Sequence, residues 1–291
     1  MLARLILVLS LPLCAVGADF QQLFDTAIAE TFQEFAAKKL LSNQLAVTVI
    51  KVNGQKASYR GDVPIYPASV VKLFYLVAAH QWMEDGKIQD TEELRRAMKD
   101  MIVDSSNDAT HYVLDLITST TGGPELPPDE MKTWEHKRNA VNRWFAGLGY
   151  KGLNVDQKPW CEGPYGRERI FVGKNFENRN ALTTDATSDL LAKIVRGSIV
   201  SKQRCDEMME LLKRDPFKKG DDQATEFIGK AVPTETKLWS KAGWTSTARH
   251  DAAYLELPTG EKLVFVIFTT GHSRNKEIIP ALARRIFKPA N

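Results

Sequence analysis

Strand-forming sequence in this chain is confined to its two ends. Near the N-terminus, "QLAVTVIKVNGQKASYRGD" places a β-branched run before Asn53-Gly54 and a second short run after it, which reads as a hairpin. Near the C-terminus, "TKLWSKAG", "HDAAYLELP" and "KLVFVIFTTG" read as three strands, joined by turns at Trp244–Ala248 and Pro258-Thr259-Gly260. From roughly residue 89 to 215 the pattern is helical: "TEELRRAMKDMIVD", "ATHYVLDLITS", "MKTWEHKRNAVNRWFAGLGY" and "TTDATSDLLAKIVRG" each carry an apolar face. The natural solution brings the first and last strands together in one antiparallel sheet. Two terminal helices are placed to cover it. One is "DFQQLFDTAIAETFQEFAAKKL", with Phe20, Leu23, Phe24, Ile28, Phe32 and Phe35 at helical spacing, and the other is "NKEIIPALARRIFK". The expected fold is α+β, an α/β sandwich: a five-stranded antiparallel sheet flanked by the terminal helices (residues 19–65 and 216–291), plus an all-helical lobe (66–215). The Gly/Pro/Asn-rich stretches "TGGPELPPDE" and "QKPWCEGPYGRERIFVGKNFENRN" read as loops, and the length of the second points to function or flexibility.

At 291 residues, with 43% hydrophobic and 26% charged residues, the chain is long enough for a substantial core. A net charge of +3, without a dense Lys/Arg run beyond short pieces such as Lys218-Lys219, argues against nucleic acid as a partner. The opening "MLARLILVLSLPLCAVGADF" has the three parts of a secretory leader: the charge of Arg4, the apolar stretch Leu5 to Leu13, and small residues before a cleavage point after Ala18. The expectation is an exported protein, periplasmic or secreted, with residues 1–18 removed and no stable membrane insertion afterwards. Cys161 and Cys205 then remain. Export permits a bridge between them, two free thiols fit nearly as well, and neither has the clustered spacing of a metal site. No metal and no cofactor is expected.

The stretch "YPASVVKLFYLVAAHQWM" (residues 66–83) puts Ser69 and Lys72 three apart at the start of an apolar run. That spacing places them on one face of a helix. A hydroxyl is a weak nucleophile until a base takes its proton, and a lysine serves when burial or a nearby cation lowers its pKa. The helix N-terminus adds N–H groups that favour an oxyanion there. The alternative is a capping serine. "SRNK" at Ser273–Lys276 repeats the spacing without an apolar helix behind it and reads as surface.

Two further fragments change the weighting. "DSSNDATHYVL" offers Ser105, a second hydroxyl able to relay a proton, and Asn107, an amide able to hold a carbonyl. Capping by Ser106 or Asn107 is the plainer role. "LWSKAGWT" sets Lys241 and Gly243 in a strand, a charge for an anionic group beside a residue that allows close approach. In this order, Ser69-Val70-Val71-Lys72, Ser105-Ser106-Asn107 and Lys241-Ala242-Gly243 resemble the S-x-x-K, S-x-N and K-T/S-G elements of class A β-lactamases and penicillin-binding serine hydrolases. The resemblance spans most of the mature chain and implies an acyl-serine mechanism. Ser69 attacks, Lys72 helps deprotonate it, and Ser105 passes protons toward the leaving nitrogen. Asn107 holds the substrate's side-chain amide, Lys241 orients its carboxylate, and the oxyanion hole is the N–H of Ser69 with that of Trp244.

The match departs in three places, one of them Trp244, a bulky residue beside the expected oxyanion site. Ala242 lacks the hydroxyl usual at its position, for which Thr245, Ser246 or Arg249 are the nearby substitutes. In the long loop, the family's glutamate followed four residues on by asparagine is incomplete: Glu168 is followed by Val172 and Glu162 by Gly166, and Glu177 is the third candidate. The leading expectation is a monomeric hydrolase of β-lactam amides acting on a β-lactam or peptidoglycan-like small molecule. The alternatives are a D-alanyl-D-alanine peptidase or other penicillin-binding acyl enzyme, and a non-catalytic sensing domain.

Overall fold

The structure is a computed structural model describing residues 14–160 and 162–287. Most of the expected leader therefore lies outside the described residues, as does Cys161. Helix α1 (Cys14–Glu34) leads into the hairpin β1 (Leu45–Lys51) and β2 (Lys56–Tyr59). A helical series follows: α2 (Lys72–Glu84), α3 (Glu92–Val103), α4 (Asn107–Thr118), α5 (Pro128–Arg138), α6 (Ala140–Gly147), α7 (Gly166–Val172), α8 (Thr184–Val195) and α9 (Lys202–Leu212). The chain closes with β3 (Lys213–Arg214), α10 (Asp222–Thr225), β4 (Lys237–Trp244), β5 (Ala248–Glu256), β6 (Lys262–Thr270) and α11 (Ile278–Phe287).

The two ends of the chain do meet. The sheet order is β2-β1-β6-β5-β4-β3, antiparallel throughout, with Val47 opposite Ile267 and Lys241 opposite Ala252. The sheet has six strands where five were expected, because Lys213 and Arg214 pair with Trp239 and Leu238. Two residues are too few for the alternation that marks a strand. The long loop also differs from its reading: residues 166–172 form α7.

Alternation along the strands sorts the core onto two faces. Ala253, Leu255, Phe265 and Ile267 face the terminal helices with Phe24, Leu282 and Ile286, whereas Ala252, Tyr254, Val266 and Phe268 face the helical lobe. The centre of that lobe is α2, whose residues Leu73 to Ala79 are all fully buried, so it is apolar around its whole circumference. Cys205 is a buried free thiol on the core side of α9.

Asp251 is a polar residue among these apolar ones. Its Oδ2 accepts the N–H of Ile228 at 3.0 Å, its Oδ1 has no hydrogen-bond partner among the described residues, and burial pushes its carboxyl up to about 7. The folded state thus keeps a proton that the unfolded chain loses near pH 4, so the residue's cost is absent below that pH, grows up to about 7, and is constant above. Asp251→Asn removes this dependence. Its melting temperature relative to the parent should rise by several degrees between pH 4 and 7.5, and a pH-independent difference in thermal melts would contradict the assignment.

Candidate active site

Ser69 lies in a single 3₁₀ turn, Ala68–Val71, that runs directly into α2. Among the described residues no side chain caps this turn, so the Ser69 hydroxyl is not used as a cap, and the residue is half-buried. Ala68 before it adopts a left-handed conformation at φ 48°. The segment is held from the sheet by His250. Thr269 donates its N–H to Nδ1 at 3.1 Å, so Nε2 carries the proton and donates it to the Tyr66 carbonyl at 2.9 Å. Burial holds this imidazole down to about 4, which keeps it neutral.

Lys72, one turn beyond Ser69, is completely buried. Its Nζ donates to Ser105 O at 2.5 Å, to Asn107 Oδ1 at 2.8 Å and to Ser105 Oγ at 3.2 Å. Ser105 sits in the break between α3 and α4 at φ 57°, a left-handed conformation that costs a non-glycine residue free energy and recurs at active sites. Ser106 is the residue that caps α4, accepting the N–H of Ala109 at 3.1 Å, which leaves the Asn107 side chain to Lys72.

From the other lobe, Lys241 donates to the same Ser105 Oγ at 2.9 Å. The two amines thus converge on one hydroxyl. Burial, then the charge of Lys72, then that of Arg214 hold Lys241 well below the usual lysine range, with Asp251 and Asp221 opposing. An amine in that state gives up its proton readily, so Lys72, Ser105 and Lys241 form a short path for proton transfer.

Gly243 is required by contact rather than by backbone angle. A Cβ there would lie 2.8 Å from the Ser69 nitrogen and 2.9 Å from both Pro67 O and Val70 N. Strand β4 therefore abuts the Ser69 turn directly. Thr245 donates its N–H to Ala248 O. By strand alternation the Trp244 N–H points away from β5, beside the Ser69 contact, where the two N–H groups can receive an oxyanion. The Trp244 indole is exposed and stands 5.8 Å from the Phe227 ring.

The suggested substitutes for the missing hydroxyl at Ala242 are largely committed elsewhere. Arg249 is buried, stacks 4.0 Å from the Phe227 ring and donates to Glu226. Thr245 Oγ1 accepts the N–H groups of Thr247 and Ala248 within its turn. The second Ser-x-x-Lys spacing is surface, as expected, with Lys276 exposed and paired with Glu226.

The long loop docks along α4. Asn107, His111 and Asp115, four residues apart on one face, take three consecutive loop residues. Asn107 Nδ2 donates to Trp160 O at 3.2 Å, His111 Nε2 to Pro159 O at 2.6 Å, and Lys158 Nζ to Asp115 Oδ2 at 2.7 Å. Of the three candidate glutamates, Glu168 is buried and accepts both Arg138 Nη2 (2.7 Å) and Nη1 (3.3 Å), with Lys158 at 3.5 Å. Glu177 is exposed and closes a turn with Asn175. Glu162 is exposed, two residues beyond the Trp160 carbonyl that Asn107 holds.

The structure thus brings Lys72, Ser105, Asn107 and Lys241 into one hydrogen-bonded group, with Gly243 packed against the Ser69 turn. The sequence offered no signal for His250, Arg214 or Gln223, which hold this group in place. Fold and constellation together define the β-lactamase and penicillin-binding serine hydrolase superfamily. Within it, the chain belongs to the beta-lactamase enzyme family, whose model matches residues 25–289.

Solved structures agree on the fold. A beta-lactamase from Sphaerobacter thermophilus is 19% identical, covers 91% of this chain and 95% of its own, and superposes with a TM-score of 0.66. The TLA-1 extended-spectrum beta-lactamase is 16% identical over 91% and 98%, with a TM-score of 0.67. PBP-A is 16% identical over 97% and 98%, with a TM-score of 0.62. Golvesin of Dictyostelium discoideum is 24% identical over 231 residues, 75% of this chain, and the chain spans 38% of golvesin's length.

Proposed function

We propose that this protein is an exported serine hydrolase that opens β-lactam amides through an acyl-serine on Ser69. The convergence of Lys72 and Lys241 on Ser105 Oγ carries this reading. In its neutral form, Lys72 takes the Ser69 proton as Ser69 Oγ bonds to the carbonyl carbon. As the C–N bond breaks, the proton passes through Ser105 to the leaving nitrogen, and water later cleaves the ester to the free acid. The N–H groups of Ser69 and Trp244 receive the oxyanion, and Asn107 orients the substrate amide. Action as a monomer on a small β-lactam or peptidoglycan-like molecule belongs to the same reading.

A second reading, a penicillin-binding acyl enzyme that releases its product slowly, is favoured by one observation: Arg138 and Lys158 occupy the carboxylate of Glu168. One of the solved neighbours is an acyl-enzyme complex of a PBP-A variant with penicillin G. Fluorescent penicillin and a chromogenic cephalosporin separate the two. Many turnovers of colour with a short-lived label are expected for a hydrolase, and one equivalent with a lasting label for the slow acyl enzyme. Neither signal would remove both readings. If Glu162 activates the deacylating water, Glu162→Gln lengthens the life of the label.

A further inference from the structure

We propose that Gln223 is a positioning residue for this site, seating the Lys241 ammonium on Ser105 Oγ and, with Arg214, fastening the end of α3 to β4. The inference rests on the reading of Lys72, Ser105 and Lys241 as the groups that move protons.

The buried ammonium of Lys241 has three hydrogens and three acceptors: Ser105 Oγ at 2.9 Å, Gln223 Oε1 at 2.7 Å and Ala242 O at 2.8 Å. The Ala242 carbonyl belongs to the next residue on the strand and accompanies Lys241 wherever it points. Ser105 is the partner that matters to the chemistry. The direction of the amine is therefore fixed by Gln223, itself buried in the short helix α10.

The other end of the same amide reaches α3. Gln223 Nε2 donates to Val103 O at 2.7 Å, and Arg214 donates to Val103 O at 3.0 Å and to Ile102 O at 2.7 Å. These are carbonyls that a helix leaves without partners in its last turn. They come just before Ser105, whose left-handed backbone needs support from its surroundings. Arg214 Nε also points to Ser240 O, the residue preceding Lys241. One segment, residues 213–223, thus sets both the hydroxyl and the amine that meets it.

The choice of glutamine has a chemical consequence. Lys72 and Arg214 repel the charge on Lys241, Asp221 and Asp251 attract it, and burial outweighs them all. A neutral acceptor orients the amine without adding an attractive charge, so the proton stays weakly held. A glutamate in its place would hold that proton firmly.

The full chain labelled with ¹³Cε-lysine tests this without any substrate. The Lys241 signal is identified by its loss in Lys241→Arg and titrated by NMR in the parent, Gln223→Glu and Gln223→Met. Gln223→Glu should raise the midpoint by about one pH unit or more, as an adjacent opposite charge does. Gln223→Met, which keeps the length but removes both hydrogen bonds, should slow acylation by fluorescent penicillin about tenfold. In Gln223→Glu the fall of acylation at alkaline pH should move upward with the midpoint. A Lys241 midpoint unchanged to within about 0.3 pH unit in a folded Gln223→Glu protein would overturn the proposal. Should Gln223→Met fail to fold, Gln223→Glu decides alone. Should neither the parent nor any variant be acylated while the midpoint moves, the proposed function falls and the role of Gln223 stands.

Discussion

Replacing Ser69 with alanine should abolish covalent labelling by penicillin, and replacing Lys72 with methionine should slow it by about a thousandfold. Both variants are expected to melt within a few degrees of the parent. The first effect follows from chemistry: Ser69 lies in the turn that runs into α2, where β4 packs against its backbone nitrogen at Gly243. The second follows from the burial of Lys72 and its donation to Ser105 and Asn107. Without the amine, the Ser69 proton must leave to solvent at neutral pH, where a free hydroxyl ionises to a negligible degree. Stability changes little because two costs oppose. Losing Lys72 strips donors from Ser105 and Asn107, but it also removes a buried charge that is expensive to desolvate. The measurement is the labelling rate by stopped flow beside a thermal melt. A Lys72→Met protein labelled within tenfold of the parent would assign the base elsewhere, and a labelled Ser69→Ala protein would end the assignment of the nucleophile.

The readable part of the site was its short-range part. Ser69 and Lys72 share one helix face, Ser105 and Asn107 flank one helix start, and Lys241 and Gly243 share one strand, so three local fragments carried the chemistry. That they meet in space follows from the antiparallel return of β6 onto β1, which the position of strand patterns at both ends had indicated. The supporting groups left no such trace. Gln223 lies in a polar run without an apolar period, and its partners are Lys241 and Val103, the latter 120 residues away. His250 reads as one more strand residue, although it reaches Tyr66 across 184 positions. Glu168 is a different case. The sequence left it as one of three candidate glutamates, and its carboxylate faces Arg138 and Lys158 on α7's buried side. Sequence spacing fixes where a carboxylate falls along a chain, and not which cation waits for it.

That cluster carries the largest expected loss of stability. Arg138 is fully buried and donates to Glu168, to Asp115 Oδ1 at 3.1 Å and to Thr120 Oγ1 at 3.0 Å, while stacking 4.5 Å from the Trp134 ring. Arg138→Met keeps much of the packing but leaves two carboxylates sharing Lys158. Breaking a buried pair from one side costs about 3–5 kcal/mol, which at this size lowers the melting temperature by roughly 10 °C. Adding Glu168→Gln to Arg138→Met should recover a large part of that loss, because the uncompensated charge is then gone. The double variant tests the origin of the effect: equal melting of Arg138→Met and the double variant would mean that packing of the guanidinium, rather than the stranded carboxylate, sets the cost. Glu168→Gln alone decides a further point. A carboxylate engaged this way cannot also activate water, so the lifetime of the acyl-enzyme in Glu168→Gln should match the parent within about twofold. Accumulation of label in that variant would return Glu168 to the chemistry and place the loop closer to Ser69 during turnover than its docking on α4 implies.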